Sequence, residues 1–157
     1  LDLKNSLVQS NKIIGYHNRG GAVHLLGVST VVIQNTEIVD NEISSGKDTA
    51  YATYGAGISY IDSGDNLTDY ELLLSGVKMN GNQSNVVADS YNHNGGGLSV
   101  SFVYNAADIQ IIDSEFDSNE INDIGSATSG NSATGAGISL YKAAANKESV
   151  SVFMLLS

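Results

Sequence analysis

Two acidic stretches, a few histidines and two glycosylation sequons are the residues of this 157-residue chain whose type and spacing suggest chemistry. "DSGDNLTD" at 62–69 gathers Asp62, Asp65 and Asp69 in one polar run. Ca²⁺ takes roughly six to eight oxygens from such residues. The run has neither the alternating acids and closing Glu of an EF-hand loop nor the Gly-Gly-x-Gly-x-Asp repeat of calcium-binding β-rolls. It reads first as a polar loop, with those three aspartates the only metal candidates. "QNTEIVDNE" brings Glu37, Asp40 and Glu42 close in sequence, and paired carboxylates are what glycoside hydrolysis needs. His17, His24 and His93 are scattered, and His24 reads as a surface residue rather than a ligand. Asn66-Leu-Thr and Asn82-Gln-Ser are sequons. Asn66 lies in a loop and is the glycosylation candidate, whereas Asn82 belongs to a column described below and is expected to be shielded. There is no Cys, so neither a disulfide nor a thiolate metal site can form. No cofactor is implied.

Charge narrows the function classes. The net charge is −10, and Arg19 is the one arginine beside six lysines. Nucleic acid and anionic membranes are met by clustered Arg and Lys, so both are set aside as partners. The longest apolar run, near "VSVFMLL", is far short of the ~20 residues of a membrane helix, and no membrane insertion by this segment is expected. Apolar residues make up 41%, with 17 Gly and no Pro. Regular strands exclude proline because it cannot donate to a ladder.

The elements that would position these residues are repeats. "GGAV" at 20–23 returns as "GAGI" at 55–58, "GGGL" at 95–98 and "GAGI" at 135–138, at intervals of 35, 40 and 40 residues. Between them recurs a second element: 1–13, 31–43, 72–84 and 109–121. Its columns are Leu1, Val31, Leu72 and Ile109; Leu3, Ile33, Leu74 and Ile111; Asn5, Asn35, Gly76 and Asp113; Val8, Ile38, Met79 and Phe116; and Asn11, Asn41, Asn82 and Asn119. The first two columns are two residues apart, the spacing of one strand face. The odd step from Asn35 to Ile38 breaks that parity and marks a bend. The all-Asn column marks another, where Asn tolerates left-handed backbone and its amide can bond to backbone or to a stacked copy. Gly20, Gly55, Gly95 and Gly135 are glycine corners. Inward positions follow them at Val23, Ile58, Leu98 and Ile138, and then at Leu25, Tyr60, Val100 and Leu140. His24, Ser59, Ser99 and Ser139 are expected to form an outward row of small residues against which another surface can pack. Spacers such as 61–71 and 123–134 vary in length, and only 141–148 hints at a helix.

Constant repeats with variable loops predict an all-β, right-handed parallel β-helix, a solenoid with coils of about 35–41 residues and about three strands each. One such segment spans 1–157. Both ends of the sequence fall inside a repeat, with Val150 and Val152 matched to Val31 and Ile33, so a fragment of a longer array is expected.

Gly-Gly-Ala-Val at 20–23 and Phe116-Asp-Ser-Asn119, with the related Val8-Gln-Ser-Asn11, Ile38-Val-Asp-Asn41 and Met79-Asn-Gly-Asn82, resemble the repeats of chlamydial-type polymorphic outer membrane proteins. The resemblance implies a β-helix exposed outside the cell or on its surface, acting as a non-enzymatic adhesive or structural scaffold. The partners it implies are other copies or neighbouring segments of a larger surface assembly, with glycans as a second class. The alternative is a polysaccharide lyase, a hydrolase or a carbohydrate-binding module. A lyase of this shape requires a basic cluster, and polygalacturonase-type hydrolases carry Gly-His-Gly and Arg-Ile-Lys. None of these is found in the sequence.

Overall fold

The computed structural model describes residues 1–15, 17–45, 52–62, 69–86, 92–102, 106–123, 132–142 and 150–156. Among them every regular element is a strand, mostly three to five residues long. They fall into five ladders, taken here in chain order. The first contains Asp2–Lys4, Thr30–Gln34, Tyr70–Ser75, the start of Ala107–Asp117, and Val150–Leu156. The second contains Leu7–Gln9, Glu37–Val39, Lys78–Asn80 and the end of Ala107–Asp117. Lys12–Gly15, Glu42–Ser45, Gln83–Val86 and Glu120–Asp123 form the third. His17–Arg19, Ala52–Tyr54, Asn92–Asn94 and Ser132–Thr134 form the fourth. Val23–Leu26, Ile58–Ile61, Leu98–Phe102 and Ile138–Lys142 form the fifth.

Every pairing between these strands is parallel, and each strand pairs with its counterpart in the adjacent sequence repeat. The chain is thus all-β, built of parallel sheets. A repeat carries five strands rather than the expected three. The two missed are of the third and fourth ladders. They are short and largely polar, as in Asn92–Asn94, and no apolar alternation announces them. Tyr141 and Lys142, expected in a helical piece, end a strand; 143–149 lie outside the described residues.

The predicted columns are structural columns. Leu72 pairs with Val31 and with Ile109, and Leu74 with Ile33 and with Ile111. All six are at most 2% exposed. Met79 pairs with Ile38 and with Phe116 across the second ladder. At the end of the chain the expected alignment moves by two residues. Val152 pairs with Ile109 and Met154 with Ile111, so Val150 falls opposite Ala107. A two-residue shift keeps every side chain on its face, which is why alternation alone could not detect it. The fifth ladder faces the first across the core. Tyr60, Tyr70 and Phe102 close that contact, with ring centroids 5.3–6.0 Å apart. Burial of Tyr60 raises its phenol pKa, and its hydroxyl donates to the Val28 carbonyl.

The bend foreseen at Asn35 is there. Asn5, Asn35, Asp113 and Gly76 all have left-handed backbone, with φ between 48° and 62°. The residue that follows often caps the bend. The hydroxyls of Ser6, Thr36 and Ser114 donate to the carbonyl two residues back, at 2.8–2.9 Å.

Leu74 sits in the middle of the best-buried column. Leu74→Ala should cost about 2–5 kcal/mol, read as a lower urea midpoint with an unchanged slope. The same change at Leu7, 57% exposed at one end, should cost under about 1 kcal/mol.

Candidate functional site: the asparagine column and the glycine corners

The Asn column forms one continuous hydrogen-bonded chain. Asn11 Nδ2 donates to Asn41 Oδ1, Asn41 Nδ2 to Asn82 Oδ1, and Asn82 Nδ2 to Asn119 Oδ1, each at 2.9 Å. Each accepting oxygen takes a second bond, from the backbone N–H of the preceding Asn, at 3.1–3.2 Å. The remaining amide proton reaches back one repeat: Asn41 to the Val8 carbonyl, Asn82 to Ile38 and Asn119 to Met79. These partners settle the amide orientation, because a backbone N–H meets only oxygen and a carbonyl only N–H. Asn41 and Asn82 are fully buried. A buried amide with every valence met orders its neighbours, and a partly met one is costly.

The backbone role expected of these residues belongs to their predecessors. Ser10, Asp40, Gly81 and Ser118 take the left-handed conformation, with φ between 52° and 65°, and the column Asn does not. Tight turning and side-chain bonding are thereby divided between adjacent residues.

Gly20, Gly55, Gly95 and Gly135 are left-handed, with φ from 60° to 67°. A Cβ on Gly95 would lie 2.3 Å from the Leu98 carbonyl oxygen, so the strain there is both conformational and steric. Corner amides continue the ladder to the next repeat, as in Ile58 N–H to the Gly97 carbonyl at 2.8 Å. The corner also rests on the Asn column. A Cβ on Gly97 would sit 3.1 Å from the Asn119 amide, and one on Gly57 3.4 Å from the Asn82 nitrogen. Glycine there lets the backbone close over the amides.

The expected outward row of small residues is overturned. Ser59, Ser99 and Ser139 are 0%, 3% and 9% exposed, and only His24 reaches solvent. Alternation assigns one face of a strand to solvent, whereas in Ile58–Ile61 both faces are covered. The Ser59 hydroxyl is buried without a hydrogen-bond partner. Partial burial, with Arg19 nearby, lowers the His24 pKa. Arg19 lies over the Tyr54 ring, 5.5 Å from its centroid.

Of the metal candidates, Asp62 is buried and Asp69 is exposed, while Asp65 and the sequon Asn66 lie outside the described residues. Among the described residues no group of three or more His, Cys, Asp or Glu is gathered to hold a metal ion. Glu37, Asp40 and Glu42 are not brought into one site. Glu37 stacks on Lys78 in the second ladder and Glu42 on Lys12 in the third.

Glu42 anchors a network that the sequence did not disclose. Lys12 Nζ donates to both its oxygens, at 2.8 and 2.9 Å, and Ser44 Oγ and Asn85 Nδ2 donate to one of them. Asn122 continues the network by donating to Asn85 and Glu120. Its directly bonded partners are up to 43 residues apart in sequence. The only signal available was the recurrence of polar residues at matching repeat positions.

No family model, no curated protein and no solved structure matches the chain.

Two outcomes are expected. Asn82→Asp places a second acceptor against Asn119 Oδ1 and the Ile38 carbonyl. It should cost on the order of 3 kcal/mol or more in chemical denaturation, whereas Asn11→Ala, at the exposed end, should cost under about 1 kcal/mol. Hydrogen bonds from Lys12 and then Ser44 hold the Glu42 carboxyl at about 2, below its ordinary 4.5. A depressed carboxylate contributes stability above its unfolded value and loses it as pH falls through the folded one. That contribution should therefore be complete above about pH 5 and vanish toward pH 2. A carboxyl-resonance titration should report it, and Lys12→Ala should move the Glu42 midpoint upward.

Proposed function

We propose that the chain is a segment of a right-handed parallel β-helix that serves outside the cell or on its surface as a rigid, non-enzymatic scaffold, displaying loops for adhesion or assembly. The observation that carries this reading is the uniform order of strand pairing. Five parallel ladders pair each strand with its counterpart one repeat away, and no described pairing departs from that order. Successive parallel strands in such an order are joined by right-handed connections as a general rule. Winding the chain this way stacks the Asn column, the glycine corners and the aliphatic columns together. Length is then added repeat by repeat, each contacting only its neighbours. Rigidity follows from the Asn column, because the inner amides, Asn41 and Asn82, are bonded to the repeats on both sides.

The architecture is tested by removing one repeat. Excision of residues 95–134, which joins Asn94 to Gly135, deletes 40 residues and one strand from each ladder. A β-helix should refold cooperatively with parallel-β spectra and lower stability, shortened along its axis by about 4.8 Å. Loss of folding would show that the core is not modular. The scaffold role is tested by incubation with polygalacturonate and other polysaccharides. Release of new reducing or unsaturated ends would replace the scaffold by an enzyme.

A further inference from the structure

The outer face of the first ladder holds an open groove of about 210 Å³, lined by Thr30, Val32, Glu71, Leu73, Asp108 and Gln110. Two register columns build it. Thr30, Glu71, Asp108 and Ser151 stack in one; Val32, Leu73, Gln110 and Phe153 stack in the other. The repeat alignment that pairs Leu72 with Ile109 also sets Glu71 opposite Asp108, 37 residues away, but it does not show that a groove forms there.

The charges here break the pattern of the other ladders. Lys12 stacks on Glu42, and Lys78 stands between Glu37 and Glu115. Glu71 opposite Asp108 is the one in-register pair of like charges among the described pairings. Like charges directly opposite on a sheet repel. Neither carboxylate has a salt bridge among the described residues. Asp108 accepts from Ser151 Oγ at 2.8 Å and from Gln110 Nε2 at 3.1 Å, and these donors hold its pKa below the usual range. It is therefore kept ionised beside Glu71 and does not supply the protonated acid of a hydrolase, which requires desolvation. Val32 and Leu73, half-buried, form an apolar shelf next to the two acids.

An apolar shelf beside paired anions fits a cation on an alkyl stem. Pockets for small molecules run to roughly 300–1,000 Å³, so this smaller groove suits one side chain. We propose that the groove docks a lysine or arginine side chain of a partner protein, its methylene stem on Val32 and Leu73 and its charged head between Glu71 and Asp108. Long basic side chains lay their stems on apolar surface in this way, and the strong negative charge of the chain steers a basic partner toward it.

The test is an NMR titration of the full chain with capped pentalysine, beside the same peptide acetylated at every Nε. Pentalysine should shift the Leu73 methyl and the Glu71 and Asp108 carboxyl resonances, and the acetylated peptide should not. The double variant E71Q/D108N should weaken binding by about tenfold or more. E115Q/D117N, which removes the same charge from the second ladder, should change it by less than about twofold. Equal losses in the two variants would reduce the effect to diffuse attraction and overturn the proposal. So would saturable shifts at Glu71 and Asp108 with calcium chloride that pentalysine fails to displace, which would mark a metal site. Glu71→Gln should raise the melting temperature by removing the repulsion. A fall would show that Glu71 is already neutralised within the fold, and would also overturn the proposal.

Discussion

The asparagine column is the constraint on which the rest of the structure depends. Backbone ladders hold parallel strands together but do not choose among registers. Apolar columns choose a face, yet they tolerate a slip of two residues, as the pairing of Val152 rather than Val150 with Ile109 shows. A side-chain amide that accepts twice from the repeat before it, and donates both to that repeat and to the one after, allows only one register. Where Asn41 and Asn82 are fully buried, a slip would leave several polar atoms without partners in a dry interior, at a cost of about 1–3 kcal/mol each.

The corners obey the same constraint from the other side. The backbone passes so close to the amides at Gly57 and Gly97 that a methyl group would crowd them. The left-handed turns at Ser10, Asp40, Gly81 and Ser118 stand immediately before the column. Bend, amide and glycine corner form one unit repeated along the chain. The buried aromatic residues Tyr60, Tyr70 and Phe102 cluster where the first and fifth ladders meet.

Polar chemistry on the outside follows from stacking as well. Equivalent positions of successive repeats lie one strand spacing apart, about 4.8 Å, so each surface residue meets its counterparts as well as the residues two along its own strand. Such columns set Lys12 against Glu42, which Asn85 reaches diagonally from the next repeat, and Glu71 against Asp108. A repeat therefore turns a composition bias into either mutual neutralisation or an uncompensated stripe, depending on which charges coincide.

The sequence by itself determined the repeat, the inward aliphatic columns, the Asn column and the left-handed glycine corners. Each is written as residue identity recurring at a fixed offset, and local stereochemistry does the rest: Val31 and Ile33 two apart share a face, and glycine takes the φ of 67° at Gly95 without strain. Only the tertiary structure decided that Ser59 and Ser99 are buried, because alternation states which side of a strand a residue is on and not whether that side is covered. It also decided that the left-handed residue precedes each column Asn, and that two polar strands per repeat join ladders of their own. Those outcomes depend on what lies one repeat away, and spacers of unequal length hide that neighbour from a reading along the chain.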